Sequence, residues 1–169
     1  MFLLGHIGIT IGIFFIFGYF RPAIRIRYWY VGIGAFLPDI IDKLIGRVLF
    51  AYSLANGRII AHTILFSFIL FLIGFYLYRR TKDDRILFIS GATFLHILED
   101  RMWSEPGIFF WPFHGWKFPH GTAEHNWIDY FVNIFQNSFT PAFSLDFISE
   151  LVGFIIVIFI AALINRRKK

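Results

Sequence analysis

Phe94-Leu95-His96-Ile97-Leu98-Glu99-Asp100-Arg101-Met102-Trp103 sets a histidine and an aspartate four residues apart inside an apolar run. At helical pitch that spacing puts both side chains on one face, about 6 Å apart along the axis. An imidazole and a carboxylate aimed the same way make half of a zinc-type ligand set. They equally make a structural His–Asp hydrogen bond tying two helices together, and the pair alone does not separate the two readings. The positions of the other polar residues do.

The class follows from what surrounds that stretch. Of the 169 residues, 57% are hydrophobic and 21% aromatic, and the mean hydropathy is +0.65. Charged residues are 16%, against about 25% in a soluble domain. A soluble domain of this size has too little interior to hide so much apolar surface, so the chain reads as an integral membrane protein. There is no cysteine, which excludes a disulfide framework and a thiolate metal site. Any metal must be held by histidine and carboxylate. The net charge of +5 lies in short clusters between apolar runs, unlike a nucleic-acid patch, and no nucleic acid is expected as a partner.

Five runs approach the length needed to cross a hydrocarbon core of about 30 Å: residues 2–20, 28–46, 59–78, 86–103 and 147–164. The first lacks a basic leader and a small-residue cleavage site and reads as retained. Its Gly5, Gly8 and Gly12 form a ridge suited to close helix packing. Basic residues gather at Arg21/Arg25/Arg27, at Arg79/Arg80/Lys82/Arg85 and at Arg166/Arg167/Lys168/Lys169, 11 of the 16 in the chain. With five spans all three clusters fall on one side, which the positive-inside rule makes the cytoplasm. The predicted fold class is therefore all-α: a single-domain, multi-pass membrane protein of about five transmembrane helices, N-terminus outside and C-terminus inside.

Segment 104–146 then lies outside. Trp111, Trp116 and Trp127 give it the character of an aromatic belt. Asn126–Asn137 reads as an amphipathic interfacial helix, with Trp127, Ile128, Phe131, Ile134 and Phe135 on one face and Asn126, Asp129, Asn133, Gln136 and Asn137 on the other.

Ionisable residues inside spans are costly and mark function by default. Counted from the inner basic boundaries at helical rise, His6, Asp39, Asp42, His62, His96 and Asp100 stand roughly 16–25 Å up, all in one outer layer. The inner halves of the spans carry no acid or histidine. A transporter or proton path would mark the whole depth, so the layer favours a site open to the outer face. Pro38 in Leu37-Pro38-Asp39-Ile40-Ile41-Asp42 would kink its helix and free carbonyls beside the carboxylates. Asp39 and Asp42 share a face, one suited to a ligand and the other to pairing with Lys43 or Arg58. Glu99 is free to pair with Arg101 or face water. Arg58, four residues before His62, suits either an anionic phosphate or an aspartate. His120-x3-Glu124 and His125-x3-Asp129 repeat the ligand spacing in the outer segment, and with His114 they read as a second site or as solvated interfacial histidines.

On these residues the chain resembles the membrane-bound metal-dependent hydrolase family. The matching pieces are Gly5-His6, Leu37-Pro38-Asp39, Arg58-Ile59-Ile60-Ala61-His62-Thr63, Leu95-His96-Ile97-Leu98-Glu99-Asp100 and Trp111-Pro112, covering about residues 5–113. More distantly it is similar to zinc-dependent phospholipases C. Many members have Asp-x-Asp after the proline where this chain has Asp39-x2-Asp42, and a histidine where it has Gly57. The resemblance implies a helical metal site and a hydrolase activity.

The expected metal ligands are His6, Asp39, Asp42, His62, His96 and Asp100, with Asp39, Asp42 and Arg58 as catalytic residues. Zinc fits the nitrogen and oxygen donors best among divalent ions. With one position open it would lower the pKa of bound water to about 7 for attack on a phosphoester. The depth of the layer points to a membrane lipid or lipid-linked phosphoester as substrate. The alternative expectation is a non-catalytic metal-binding or scaffolding membrane protein.

Overall fold

The computed structural model describes residues 3–121, 127–139 and 144–166, and among these all regular structure is helical. The helices are α1 (Leu3–Phe20), α2 (Tyr28–Lys43), α3 (Ile64–Thr81), α4 (Arg85–Glu99), α5 (Pro106–Phe109), α6 (Trp127–Phe139) and α7 (Leu145–Arg166). A π-helical stretch, Leu44–Leu49, extends α2. Three helices, α1, α3 and α7, are long and apolar enough to cross a membrane by length and composition. Of the five expected spans, α2 and α4 are shorter, with 16 and 15 residues. At helical rise those lengths are about 24 and 22 Å.

Two expected boundaries move, each for a local reason. The third run was expected to be helical from residue 59, but α3 begins at Ile64. The amides of Ile59, Ala61 and His62 gather on the Asp42 carboxylate, at 2.7, 2.9 and 3.1 Å, and residues 59–63 form a turn folded around it. Thr63 then caps α3, its hydroxyl accepting the Phe66 amide at 3.1 Å. The fourth run was expected to be helical to 103, but α4 stops at Glu99. Arg101 turns left-handed, at φ 54°, and starts a short turn that buries Met102 beneath Ile97, Ile108 and Phe109.

The centre of the molecule is the α2–α4 pair, with α3 against α4 and α1 against α2 and α7. Glycines set the closest approaches. A Cβ at Gly34 would stand 2.3 Å from the Ile89 carbonyl oxygen, so α2 lies directly on the α4 backbone. The expected ridge on α1 packs as a small-residue seam: a Cβ on Gly8 would meet the Gly153 backbone at 2.3 Å, and one on Gly12 would stand 3.3 Å from Ile156. A Cβ on Gly153 would meet the Leu4 carbonyl oxygen at 2.1 Å, backbone that cannot step aside. Gly153→Val should therefore separate α1 from α7 and cost about 1–3 kcal/mol or more, read as a lowered unfolding temperature in detergent.

Large side chains on the outer faces, among them Phe17, Phe71 and Phe154, are exposed. A soluble fold would leave these stripes in water; here they are the surface a bilayer covers.

Candidate metal centre

Pro38 begins the site. It has no N–H to give the Gly34 carbonyl one turn back, and the Thr93 hydroxyl of α4 takes that oxygen at 3.1 Å. The next carbonyl, Ala35, accepts Nδ1–H of His96 at 2.7 Å. The turn of α2 before Pro38 thus presents two successive carbonyls to α4, one to Thr93 and one to His96.

Two other histidines are held in the same way. His62, in the turn before α3, gives Nδ1–H to Asp42 at 2.7 Å. His6, on α1, gives Nδ1–H to Glu99 at 2.8 Å, and the second Glu99 oxygen accepts the Thr10 hydroxyl, also at 2.8 Å. Carbonyl and carboxylate oxygens only accept, so in each ring Nδ1 carries the proton and, in a neutral ring, Nε2 keeps a lone pair. All three rings are fully buried. Their centroids stand 4.0 Å apart for His6 and His96, and 5.2 Å for His62 and His96.

The Nε2 atoms converge. Those of His62 and His96 are 3.3 Å apart. His6 Nε2 lies 3.2 Å from Asp100 Oδ1, and His62 Nε2 lies 3.7 Å from both Asp39 Oδ1 and Asp100 Oδ2. His96 Nε2 is 4.0 Å from Asp39 Oδ1. Two neutral rings do not turn lone pairs on each other at 3.3 Å without a positive centre to share. A metal–nitrogen distance of about 2.0–2.1 Å in tetrahedral geometry requires ligand atoms about 3.3 Å apart. The spacings present, 3.2–4.0 Å, fit that shell with small adjustments. Two overlapping groups could hold an ion, His6–His96–Asp100 and Asp39–His62–His96, and His96 belongs to both.

Of the six expected ligands, five lie around this point: His6, Asp39, His62, His96 and Asp100. Asp42 stands one layer back. Its Oδ2 accepts His62 Nδ1–H and the amides of Ile59 and His62, and its Oδ1 accepts the amide of Ala61. Asp39 turns Oδ2 to Lys43 at 2.7 Å and Oδ1 towards the histidines. Arg58 bridges Asp100 Oδ2 at 2.8 Å and Glu105 at 3.3 Å. Burial works against its charge, but the two carboxylates outweigh that and raise its pKa.

Glu99 is the residue that sequence reasoning assigned elsewhere, to Arg101 or to water. A faint signal existed: His6 and Thr10, one helical turn apart, present two donors that call for one shared acceptor. Glu150 on α7 is also buried, and accepts the first-turn amides of Leu4 and Gly5 at 2.7 and 3.2 Å, holding the end of α1 that carries His6. His114 and His120 are exposed, away from the cluster. Glu124 and His125 lie outside the described residues.

A cavity of about 370 Å³ opens on Asp39, Asp100 and Arg58. Lys43 and Arg47 add cations to its wall, and Tyr130, Ile134 and Asn137 of α6 cover one side. The Arg47 guanidinium lies 4.3 Å over the Tyr130 ring. The expected amphipathic helix is therefore present as α6. It turns Tyr130, Phe131 and Ile134 inward and leaves Ile128 and Phe135 exposed.

No curated protein and no solved structure matches the chain. One family model, described as YdjM inner membrane protein, matches residues 1–168. That match supports a membrane protein family and does not extend to the hydrolase and phospholipase likeness expected from the motifs.

Proposed function

The chain belongs to the YdjM inner membrane protein family, and we propose, from the geometry of its buried cluster, that this cluster is the centre of a membrane-embedded, metal-dependent hydrolase acting on a phosphoester of a lipid or lipid-linked substrate. The observation that carries the reading is the convergence of three histidines, each anchored through Nδ1, with His62 and His96 meeting Nε2 to Nε2 at 3.3 Å.

His6, His62, His96, Asp39 and Asp100 are assigned as the residues that hold the ion, foremost zinc, for which imidazole and carboxylate donors are suited. When bound, a divalent ion supplies Lewis acidity and lowers the pKa of an attached water to about 7. Glu99, Asp42 and the Ala35 carbonyl keep the three rings in the donor tautomer. His96 Nε2 has one lone pair and serves one ion, which favours a single metal shared by the two groups. Asp39 is assigned to the ion through Oδ1, which faces His62 and His96, while Oδ2 stays with Lys43. Arg58, with Lys43 and Arg47 beside it, receives the phosphate in the cavity. Asp42 contributes to catalysis through His62.

In this reading α2 and α4 join α1, α3 and α7 as five membrane spans. The basic clusters lie in the cytoplasm, and the cavity faces the opposite leaflet under α6. A cysteine at position 137 should be labelled by an impermeant reagent with the membrane intact; labelling only after permeabilisation would reverse the orientation. Protein purified in detergent should carry about one divalent ion per chain. It should hydrolyse phospholipid in bilayers faster than a soluble phosphodiester. Turnover of the soluble diester alone would remove the lipid substrate. A stoichiometric ion with no turnover of either would assign the metal to structure.

A further inference from the structure

A second cavity is larger than the one at the metal site. A groove of about 870 Å³ runs between α1 and α3 over the face of α4, and it shares no lining residue with the cavity at Asp39 and Asp100. One end is at Ile64 and Phe94, each two residues from a site histidine, and the other at Arg25 and Tyr78, near the α1–α2 and α3–α4 turns. The groove is as long as most of a bilayer leaflet, since Phe94 to Asp84 alone spans ten residues of helical rise, about 15 Å. Phenylalanine is the commonest residue in its walls, and Gly91 keeps its floor low.

Polar residues interrupt that apolar surface. Ser67, 4% exposed, lines the groove, and its hydroxyl has no hydrogen-bond partner. Arg25 is exposed at the opposite end and, among the described residues, makes no ion pair. Asp84, the acid at that end, is already held by Arg27 at 2.6 Å. Lys82 adds a second cation there, its Nζ 5.5 Å from the Tyr78 ring. The chemistry is therefore a long apolar channel with uncompensated positive charge at its rim.

We propose that this groove binds one anionic phospholipid from the leaflet at the Arg25 end. The phosphate lies against Arg25, and an acyl chain runs along α4 past Ser67 towards Phe94. The lipid would join α1 to α3, which otherwise communicate through α4. This rests on the membrane setting of the chain and not on hydrolysis, since the phosphate at Arg25 lies at the end of the groove away from Ile64 and Phe94.

The test is lipid retention by the full-length chain, reconstituted in nanodiscs of equal phosphatidylglycerol and phosphatidylethanolamine, then re-extracted in mild detergent and weighed by native mass spectrometry. Wild type should keep one lipid, predominantly phosphatidylglycerol. Arg25→Glu, at an exposed position outside the helices, should reduce that preference about tenfold. Gly91→Phe should fill the floor and abolish retention, with metal content equal to wild type in both variants. Lipid recovered in the bulk ratio from wild type, or retained equally by both variants, would overturn the proposal. Loss of phosphoester turnover with lipid retention intact would count against the hydrolase reading alone.

Discussion

His96→Ala is expected to leave the purified protein with less than about a tenth of the wild-type divalent metal. His96 is common to both candidate ligand groups and closes against His62 at 3.3 Å. Binding free energies of about 10–16 kcal/mol shared over roughly four ligands come to ~3 kcal/mol each, more than 100-fold in affinity. Removing an outer residue is milder: Glu99→Gln still offers His6 an oxygen and should weaken binding about 10–100-fold. Elemental analysis of the three proteins should give that order. Equal metal in wild type and His96→Ala would exclude this cluster as the metal site. The cavity created by the shorter side chain is a separate matter, controlled by comparing unfolding temperatures of metal-stripped samples.

Asp42→Leu is expected to have the largest effect on stability. The Asp42 carboxylate is fully buried and accepts four donors: the amides of Ile59, Ala61 and His62, and His62 Nδ1–H. Leucine fills the volume and strands all four. Breaking a buried charged network of this kind costs about 3–5 kcal/mol. For a chain of this size that is a fall of roughly 6–20 °C in unfolding temperature. Asp42→Asn keeps one accepting oxygen and should fall between wild type and leucine. The turn over residues 55–62 would loosen first, so His62 and its share of the metal should be lost with it. If Asp42→Leu unfolds with wild type and only metal is lost, Asp42 is a ligand after all, not the support of His62.

Depth was readable because a helix is a ruler. At a fixed rise, counting from the basic clusters brings His6, Asp39, His96 and Asp100 to one level whatever their neighbours are. His62 reached that level by the wrong route. The count treated residues 59–63 as helix, whereas the structure makes them a turn folded on Asp42. Pro38 was legible in the same way, since a missing N–H has a local consequence. Which group would take the freed Gly34 carbonyl was not legible, because Thr93 approaches from another helix. Glu99 was misassigned for the same reason: its partners His6 and Thr10 are 93 and 89 residues away.

Taken alone, the amino-acid sequence determined that the chain is a helical membrane protein, where its small residues allow close packing, and which polar residues share a depth. These depend on composition, periodicity and helical rise, which are properties of short segments. Tertiary structure alone decided which carboxylates face the shared centre and which stand behind a histidine. It also decided which ring nitrogen carries each proton, and that α2 and α4 are shorter helices packed on each other. The physical reason is that tautomer and ligand role depend on the acceptor across the interface, and no spacing along one segment contains that partner.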